Sequence, residues 1–273
     1  MNNKIKIISF NVNGIRSRIN QLSHVLEKHQ PDIIGLQETK VSNEEFPFKD
    51  IESLGYKAHI HGQKGHYGVA FLTKIMPSNI QCGFPQDDCD SQRRMIHGQF
   101  DINGHSLHLI NGYFPQGEGR AHPVKFPAKQ KFYADLLDYL NTQFSAEDNV
   151  VVMGDMNVAH KDADVGIKPE NAKRWLNTGK SAFLPEEREW LQTLMDWGLT
   201  DTYRAANPDG DTYSWFDYRS RGFDQEPKRG LRIDLLLASS TAMTLFTDAG
   251  IDLDARGHEK PSDHCPIWID LEI

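Results

Sequence analysis

The sequence predicts one α/β domain, residues 1–273, in which layered β-sheets are flanked by helices. Short runs of apolar and β-branched residues alternate with amphipathic helical patterns from end to end. No linker, low-complexity tract or short repeat divides the chain. A chain of 273 residues, 38% of them hydrophobic, is also long enough to bury a large core.

The individual elements follow from local patterns. Apolar runs predict strands at 4–12, 33–39, 68–73, 95–102, 105–114, 149–157, 212–216, 231–238 and 267–273. Helical spacing predicts helices from 19 to about 30, from about 123 to 143 and from 185 to 198. Asn103-Gly104, between two alternating runs, predicts a hairpin. Residues 160–184 show little periodicity and are expected to form a long functional loop or short helices.

Composition excludes several classes of protein. No apolar run is long enough to span a membrane. Met1–Ile7 lead into a strand without the features of a secretory signal, so a cytoplasmic protein is expected. Cys82, Cys89 and Cys265 lack zinc-ligand spacing and are expected to be reduced thiols.

The net charge of −8 argues against an anionic partner. The distribution of charge matters more than its sum, however, and basic residues cluster in loops that follow strands. The clusters are Arg16 and Arg18; His61, Lys64 and His66; Lys125, Lys129 and Lys131; Lys173, Arg174 and Lys180; and Lys228, Arg229 and Arg232. Each cluster alone is typical of a solvated surface, but their shared position favours a phosphate-binding rim.

The strand at 149–157 ends in two polar residues that could form part of a site. Asp155 and Asn157 lie two residues apart, so their side chains are expected to point to the same spot. Carboxylate and amide oxygens are hard ligands that suit Mg²⁺, and an ionised aspartate can take a proton from water. The alternative is an ordinary turn, because Gly, Asp and Asn are also common turn residues.

The same placement recurs along the chain. Strand ends and the loops after them carry Asn11, Glu38, Tyr113, Asp155, Asn157, Asp234, Asp263 and His264. Carboxylates that are packed together repel one another and stay ionised only around a cation, so a metal site is predicted. Asp234 lies inside an apolar strand and is expected to pair with His264, where it would fix the tautomer of the ring and stabilise the imidazolium.

Several ordered motifs resemble those of the exonuclease–endonuclease–phosphatase superfamily: Asn11-Val-Asn-Gly-Ile-Arg, Leu36-Gln-Glu-Thr-Lys, Gly154-Asp-Met-Asn, Gly230-Leu-Arg-Ile-Asp-Leu-Leu-Leu-Ala and Ser262-Asp-His-Cys-Pro. Others are similar to the bacterial exonuclease III family: His61-Gly-Gln-Lys-Gly-His-Tyr-Gly-Val-Ala, Gly112-Tyr-Phe-Pro-Gln-Gly-Glu, Arg174-Trp-Leu-Asn-Thr-Gly-Lys and Ser214-Trp-Phe-Asp-Tyr-Arg. The resemblance spans almost the whole chain. It implies a four-layer α/β sandwich, with two mixed β-sheets packed face to face and flanked by helices.

The resemblance also implies an activity. Members of this family are Mg²⁺- or Mn²⁺-dependent phosphodiesterases that cleave duplex DNA 5′ to abasic sites, digest it 3′→5′, and remove 3′-phosphates and other 3′-blocking groups. A monomeric enzyme of base excision repair is therefore expected, with damaged double-stranded DNA as its partner. Another phosphoesterase of the superfamily, such as a non-specific nuclease or a phosphoinositide phosphatase, stays open, as does a non-catalytic DNA-binding member. The intact set of acids argues against the last.

Roles carry over from the family to matching positions. The implied metal ligands are Glu38 as the principal one, Asn11 and Asp263 near it, and Asp155, Asn157 and His264 as further candidates. Asp155 would activate the attacking water, and Asn157 would hold that water or the phosphate. His264, paired to Asp234, would stabilise charge on the phosphoryl oxygens, and Tyr113 would lie beside the phosphate or the leaving group. Whether one or two metal ions act stays open.

Substrate contacts are expected around these residues. The predicted substrate-binding residues are Arg94, Gln116, Lys125, Arg174, Trp215, Leu231 and Ile233. The last three are either ordinary core residues or an apolar pocket that accepts a flipped, base-less sugar, as in the resembling family. Where eukaryotic relatives have an arginine in the loop after the tyrosine, this chain has Gly119, so Gln116 and Arg120 are the candidates for insertion into DNA.

Overall fold

Two six-stranded β-sheets pack face to face in the computed structural model, which describes residues 4–145 and 147–273. The strands are β1 (Lys4–Asn11), β2 (Ile33–Gln37), β3 (Lys57–His61), β4 (Val69–Thr73), β5 (Asn79–Cys82), β6 (Met95–Ile102), β7 (His105–Tyr113), β8 (Asn149–Asp155), β9 (Leu199–Asp201), β10 (Asp234–Ser239), β11 (Phe246–Ile251) and β12 (Ile267–Glu272). The α-helices are α1 (Ile19–His29), α2 (Phe48–Ser53), α3 (Lys125–Gln143), α4 (Pro169–Thr178), α5 (Pro185–Asp196), α6 (Thr202–Ala206) and α7 (Ser240–Met243). Met1–Asn3, which precede the first predicted strand, lie outside the described residues.

Each sheet is mixed and contains one parallel pair of strands. The first sheet has the order β11-β12-β1-β2-β4-β3, and the second has the order β5-β6-β7-β8-β10-β9. β1 runs parallel to β2, and β7 runs parallel to β8, whereas the other neighbours are antiparallel. The carboxyl ends of each parallel pair therefore meet at one edge of their sheet.

The core lies between and outside the sheets, in three layers of apolar contact. Ile7 and Phe71 of the first sheet pack in one cluster with Val151 and Met153 of the second. The outer face of the first sheet is covered by α1, and that of the second by α3 and α5. These layers confirm the α/β sandwich of two mixed sheets that the resemblance implied.

The sheets approach closely just below the edge where the parallel pairs end. A Cβ atom at Gly35 would lie 2.6 Å from the terminal methyl group of Met153 and 3.0 Å from the side chain of Asn111, so a larger residue there would force these side chains to move. Asn111 of β7 donates its amide to the carbonyls of Leu36 (3.1 Å) and Ala70 (3.0 Å), and it accepts from Gln37 (2.6 Å). These buried bonds fix one sheet against the other.

Most elements follow the sequence-based predictions, with one strand wrong. The predicted hairpin is present, with Asn103 and Gly104 at φ angles of 52° and 87° between β6 and β7. The region at 160–184 contains α4, as the prediction of short helices allowed. The strand predicted at 212–216 is absent, because Trp215 forms only isolated bridges, to Leu231 and His264. β10 starts at Asp234, three residues later than predicted.

Other sequence-based expectations concern cysteines, membranes and surface charge. All three cysteines are free thiols. Within the described ranges, no helix is both long and apolar enough to cross a membrane. The basic rim needs correction at two positions, because Lys129 and Arg232 are 0% and 1% exposed and each lies against buried acids.

Candidate active site

The parallel strand pairs deliver polar side chains to one end of the sandwich. Asn11 ends β1 and Asp155 ends β8, and the register pairs Tyr113 of β7 with Asp155. Gly154 permits this pairing: it has a φ of 143°, and a Cβ atom there would lie 1.9 Å from the carbonyl oxygen of Gly112. The glycine before Asp155 is therefore required to bring the carboxylate beside the tyrosine.

Three site residues follow the strands in left-handed turns. Asn13, Glu38 and Asn157 have φ angles of 47°, 52° and 54°, a conformation that costs a non-glycine residue about 1–3 kcal/mol. Asn157 is held by its N–H, which donates to Asp155 Oδ1 at 3.0 Å, and by its side-chain amide, which donates to the carbonyl of Phe114 at 2.9 Å. Asp155 and Asn157 thus both border the site through a turn, and not through the strand alternation that the sequence suggested.

Two carboxylates and an imidazole converge at this end. The possible ligand atoms of Glu38, Asp155 and His264 all lie within 4.8 Å of one another. Asn11 donates its amide to both acids, at 2.9 Å each. Burial raises the pKa of Asp155 to about 7; the cationic His264 opposes this rise, whereas the carboxylates of Asp234 and Glu38 add to it. Oxygen ligands that repel one another in this way fit a hard divalent cation, which would relieve the repulsion.

His264 is held as a cation by its acidic neighbours. Its Nδ1 lies 2.9 Å from Asp234 Oδ2, and its Nε2 lies 3.7 Å from Asp155 Oδ2. Although burial lowers the pKa of His264, the carboxylates of Asp234 and Asp155 raise it to about 10. The hydroxyl of Ser214 donates to Asp234 Oδ2 at 2.6 Å and fixes the pair. Ser214 was missed by the sequence analysis, because nothing in the pattern around it marks a partner of an acid 20 residues away.

Asp263 is anchored by neutral donors. Its carboxylate accepts from the amide of Asn13 at 2.8 Å and from the indole N–H of Trp215 at 3.0 Å. Burial raises the pKa of Asp263, but the charge of His264 and these hydrogen bonds outweigh burial and lower it. Lys40, a second residue that the sequence analysis missed, forms an ion pair with Glu38 at 2.9 Å. The Glu-Thr-Lys spacing could have indicated it.

A cavity of about 330 Å³ opens beside these groups. Trp215, Leu231 and Ile233 form one apolar wall, and they belong to a cluster that also contains Trp175 and Phe183. The cavity is also lined by Gln116, Lys180, Ser181, Ala182, Asp217 and Arg219, together with Glu38, Tyr113, Asp155, Asn157, Asp263 and His264. All eight polar residues that the sequence placed at strand ends thus lie at or directly behind this cavity.

Tyr113 stands at the rim with its hydroxyl protonated. Burial and the nearby carboxylates of Glu38 and Asp155 raise the pKa of its phenol well above the usual range. The guanidinium of Arg94 lies 4.6 Å from the centre of the Tyr113 ring and donates to the Tyr113 carbonyl at 3.0 Å. Arg94 is thus buried behind the tyrosine and does not line the cavity.

Three other predicted contacts lie outside the cavity. Lys125 is exposed and pairs with Glu118, and Arg174 is exposed on α4. Arg120 binds Glu186 through two hydrogen bonds, of 2.6 and 2.9 Å. Their contacts with a substrate stay predictions.

Comparisons with known proteins agree with this architecture. Residues 8–264 match the model of the Endonuclease/Exonuclease/phosphatase family. The chain is 55% identical to Exodeoxyribonuclease III of Haemophilus influenzae over 269 residues, which cover 98% of this chain and 100% of that protein. It superposes on an AP endonuclease from Archaeoglobus fulgidus with a TM-score of 0.89 and 32% identity, covering 98% of this chain and 100% of the other. A 3′ phosphatase from Neisseria, solved with a product DNA hairpin, gives a TM-score of 0.88 and 34% identity over the same shares.

Proposed function

The chain belongs to the endonuclease/exonuclease/phosphatase family, and its similarity to exodeoxyribonuclease III makes it a DNA-repair nuclease; we propose that it acts on duplexes with abasic sites or blocked 3′ ends. Its activities are those of an AP endonuclease, a 3′→5′ exonuclease and a 3′-phosphatase. The choice of substrate rests on one observation, which is that the catalytic groups and an apolar surface line the same cavity. Two carboxylates and a histidine–aspartate pair border the same space as an apolar wall.

Glu38 would be the principal ligand of the divalent cation, with Asn11 and Asp263 close by and Asp155 and Asn157 as alternative ligands. Oxygen ligands of this kind favour Mg²⁺ or Mn²⁺. When bound, such an ion supplies positive charge to the phosphate oxygens and lowers the pKa of a water molecule. Burial is the main cause of the raised pKa of Asp155, and the carboxylates of Asp234 and Glu38 add to it, so a bound cation would favour the ionised form, which supports this assignment.

Asp155 is the proposed general base. Its carboxylate is oriented by the Asn157 N–H at 3.0 Å and the Asn11 amide at 2.9 Å, and it faces the cavity in which the attacking water would lie. Proton transfer to a positioned carboxylate contributes about 10²–10⁴-fold to the rate. Asn157 would hold the water or the phosphate.

His264 and Tyr113 would stabilise the charge that the reaction develops. The raised pKa keeps the imidazolium protonated, so Nε2 can donate to a phosphoryl oxygen, which favours this role over that of a metal ligand. Asp234 holds the ring from behind. The protonated hydroxyl of Tyr113 can donate to the phosphate or to the leaving oxygen.

The apolar wall would select for missing bases. Flipping a nucleotide out of a duplex costs a few kcal/mol, and least where no base pair must be broken. Trp215, Leu231 and Ile233 offer a surface against which a base-less sugar can pack. We therefore assign these three side chains to the flipped sugar and not only to the core.

A direct assay tests the function. Purified protein is incubated with matched duplexes that carry an abasic analogue, a nick with a 3′-phosphate, or no damage, with Mg²⁺, Mn²⁺ or a chelator. We expect incision at the abasic site and removal of the phosphate, both abolished by the chelator and restored by either metal. Equal internal cleavage of the undamaged duplex would indicate a non-specific nuclease, and hydrolysis of inositol phosphates instead of DNA would indicate a phosphoinositide phosphatase.

We also propose that residues 1–273 act as one domain and as a monomer. The site combines Asn11 from β1 with His264, which precedes β12, so the residues between them belong to one functional unit. Sedimentation velocity at assay concentrations tests the monomer. Cell fractionation tests the cytoplasmic location expected from the sequence.

A further inference from the structure

A fully buried lysine lies behind the active site. Lys129 of α3 and Glu187 of α5 both have 0% exposed side chains, and Lys129 Nζ lies 2.6 Å from Glu187 Oε1. The ammonium group also donates to the hydroxyl of Ser181 at 2.9 Å and to the carbonyl of Asn157 at 2.8 Å. The three N–H donors of the lysine therefore each have one of these acceptors, and the carbonyl of Gln116 lies at 3.5 Å as a fourth.

The acceptors belong to different loops around the cavity. Asn157 follows β8, and Ser181 lies between α4 and α5. The Ser181 hydroxyl lies 2.6 Å from the carbonyl of Gln116, in the loop after β7, so the network reaches a third cavity-lining segment. A single buried cation thus connects the loops that carry Asn157, Ser181 and Gln116.

Glu187 extends the same network into the loop before α5. Its Oε2 accepts the backbone N–H groups of Ala182 at 3.0 Å and Leu184 at 2.9 Å. Ala182 lines the cavity beside Ser181. The carboxylate therefore holds the backbone of the cavity wall while it compensates the charge of the lysine.

A buried ion pair contributes little to stability, since the cost of removing both charges from water offsets their attraction. The role of this ion pair is instead to fix the conformation of the loops around it. The left-handed turn at Asn157 directs one face of the residue to Asp155 and its carbonyl to Lys129. Without a donor at that carbonyl, the turn loses one of the contacts that keep it in an unfavourable conformation.

We propose that Lys129, with Glu187, is a positioning residue for hydrolysis: it fixes the Asn157 turn and the Gln116 and Ser181 loops in the arrangement that the reaction needs. The proposal rests on the proposed function. It assigns no contact with substrate to Lys129, which the protein encloses completely.

The main test uses the double variant Lys129→Met with Glu187→Gln. Methionine removes the ammonium at similar length, and the glutamine oxygen can still accept the N–H groups of Ala182 and Leu184. No charge is left buried and unpaired, so this variant should melt closer to wild type than Lys129→Met alone. On the abasic duplex with Mg²⁺, we expect kcat to fall by at least about tenfold and KM to change by less than about threefold.

Nuclear magnetic resonance gives a readout that does not depend on turnover. In the double variant, the side-chain amide signals of Asn157 should shift or broaden. Those of Asn207, whose amide donates to the carbonyls of Tyr203 and Ala249, serve as the internal control and should not change. Lys57→Met, which removes an exposed ion pair with Glu52, is the matched control for kcat and KM and should leave both unchanged.

The outcomes separate the two proposals. A folded double variant with wild-type kcat and unchanged Asn157 signals overturns the positioning role. If the double variant does not fold, the single variant Glu187→Gln is tested instead. It weakens the strongest acceptor of Lys129 and should lower kcat at least threefold. An unchanged kcat overturns the proposal. If wild-type protein itself fails to cleave DNA, the proposed function fails, and the Asn157 signals still test the positioning.

Discussion

Replacing Asp155 by asparagine should abolish hydrolysis while it stabilises the metal-free protein. The amide oxygen can still accept the N–H of Asn157, which lies 3.0 Å from Oδ1 in the wild-type protein, so the turn is preserved. The amide cannot accept a proton from water. Loss of the general base should lower turnover by at least about 100-fold.

The gain in stability follows from the pKa of Asp155. Burial raises this pKa from 3.8 to about 7, so above neutral pH the ionised form costs the folded state on the order of 4 kcal/mol. Two losses offset part of this gain: the same carboxylate raises the pKa of His264, and its Oδ2 accepts the Asn11 amide at 2.9 Å, a hydrogen bond that the amide nitrogen of asparagine cannot form. We expect a net gain of about 1–2 kcal/mol for the variant, or a melting temperature a few degrees higher.

The size of this gain in stability depends on pH. A carboxyl group whose pKa is raised on folding favours the folded state below its unfolded value, and this contribution is lost as pH rises through the folded value. The variant should therefore match the wild-type melting temperature near pH 4, gain between pH 4 and 7, and keep the full difference at pH 8. Thermal melts in a chelator at pH 4 and 8, beside the cleavage assay, measure both effects.

Asp90→Asn, a change at an exposed aspartate, is the control and should alter neither property. Turnover above about a hundredth of wild type would refute the general-base role of Asp155. A melting temperature below that of wild type at pH 8 in the chelator would refute the argument that the buried, ionised carboxylate destabilises the folded protein.

Three further predictions concern the metal, the pocket and the core. Glu38→Ala should raise the Mg²⁺ concentration for half-maximal activity by about tenfold or more, with DNA affinity little changed; an unaltered metal titration would place the principal ligand elsewhere. Trp215→Ala should lower abasic-site cleavage about tenfold more than 3′-phosphate removal, for roughly 1.4 kcal/mol of lost contact; an equal fall in both rates, with a lower melting temperature, would make Trp215 a core residue. Arg232→Met, which leaves Asp201 without its guanidinium partner and Asp164 paired only with Arg204, should cost about 3–5 kcal/mol in urea unfolding at pH 7. Although burial opposes it, Arg232 lowers the pKa of Asp164, so this difference should shrink below about pH 4, and equal stability at pH 7 would contradict the pairing.

Local patterns were sufficient to predict the strands that carry the chemistry. The run from Val150 to Met153 is buried on both sides, so its composition alone indicates a central strand, and the following Asp155 lies at its end. The Asn103-Gly104 hairpin depends on two adjacent residues that both need a positive φ. In each case the determining residues are neighbours in sequence.

Local patterns could not predict which distant segments of the chain pair with one another. Trp215 bridges Leu231 and His264, so its segment pairs with two distant segments and forms no regular strand. β3 and β5 are only partly buried, which weakens their alternation. β11 carries a bulge between Phe246 and Asp248, which interrupts its register.

Lys129 shows where both the local pattern and the missing knowledge of long-range partners limit a prediction from sequence. Phe126, Lys129 and Tyr133 follow the helical spacing of a buried face. The spacing therefore predicts that Lys129 is buried, whereas lysine as a residue type predicts exposure to solvent. Its compensating partner, Glu187, lies 58 residues away on another helix. Only the folded chain shows why a lysine is tolerated there.

The position of β1 in its sheet determines when the nuclease can first act during its synthesis. β1 lies between β2 and β12, so its hydrogen-bonding edge on one side stays open until residues 267–272 have been translated. Asp263 and His264 emerge from the ribosome just before that last strand. A chain that ends before His264 therefore has neither the completed sheet nor the imidazolium, and we expect it to be inactive on DNA.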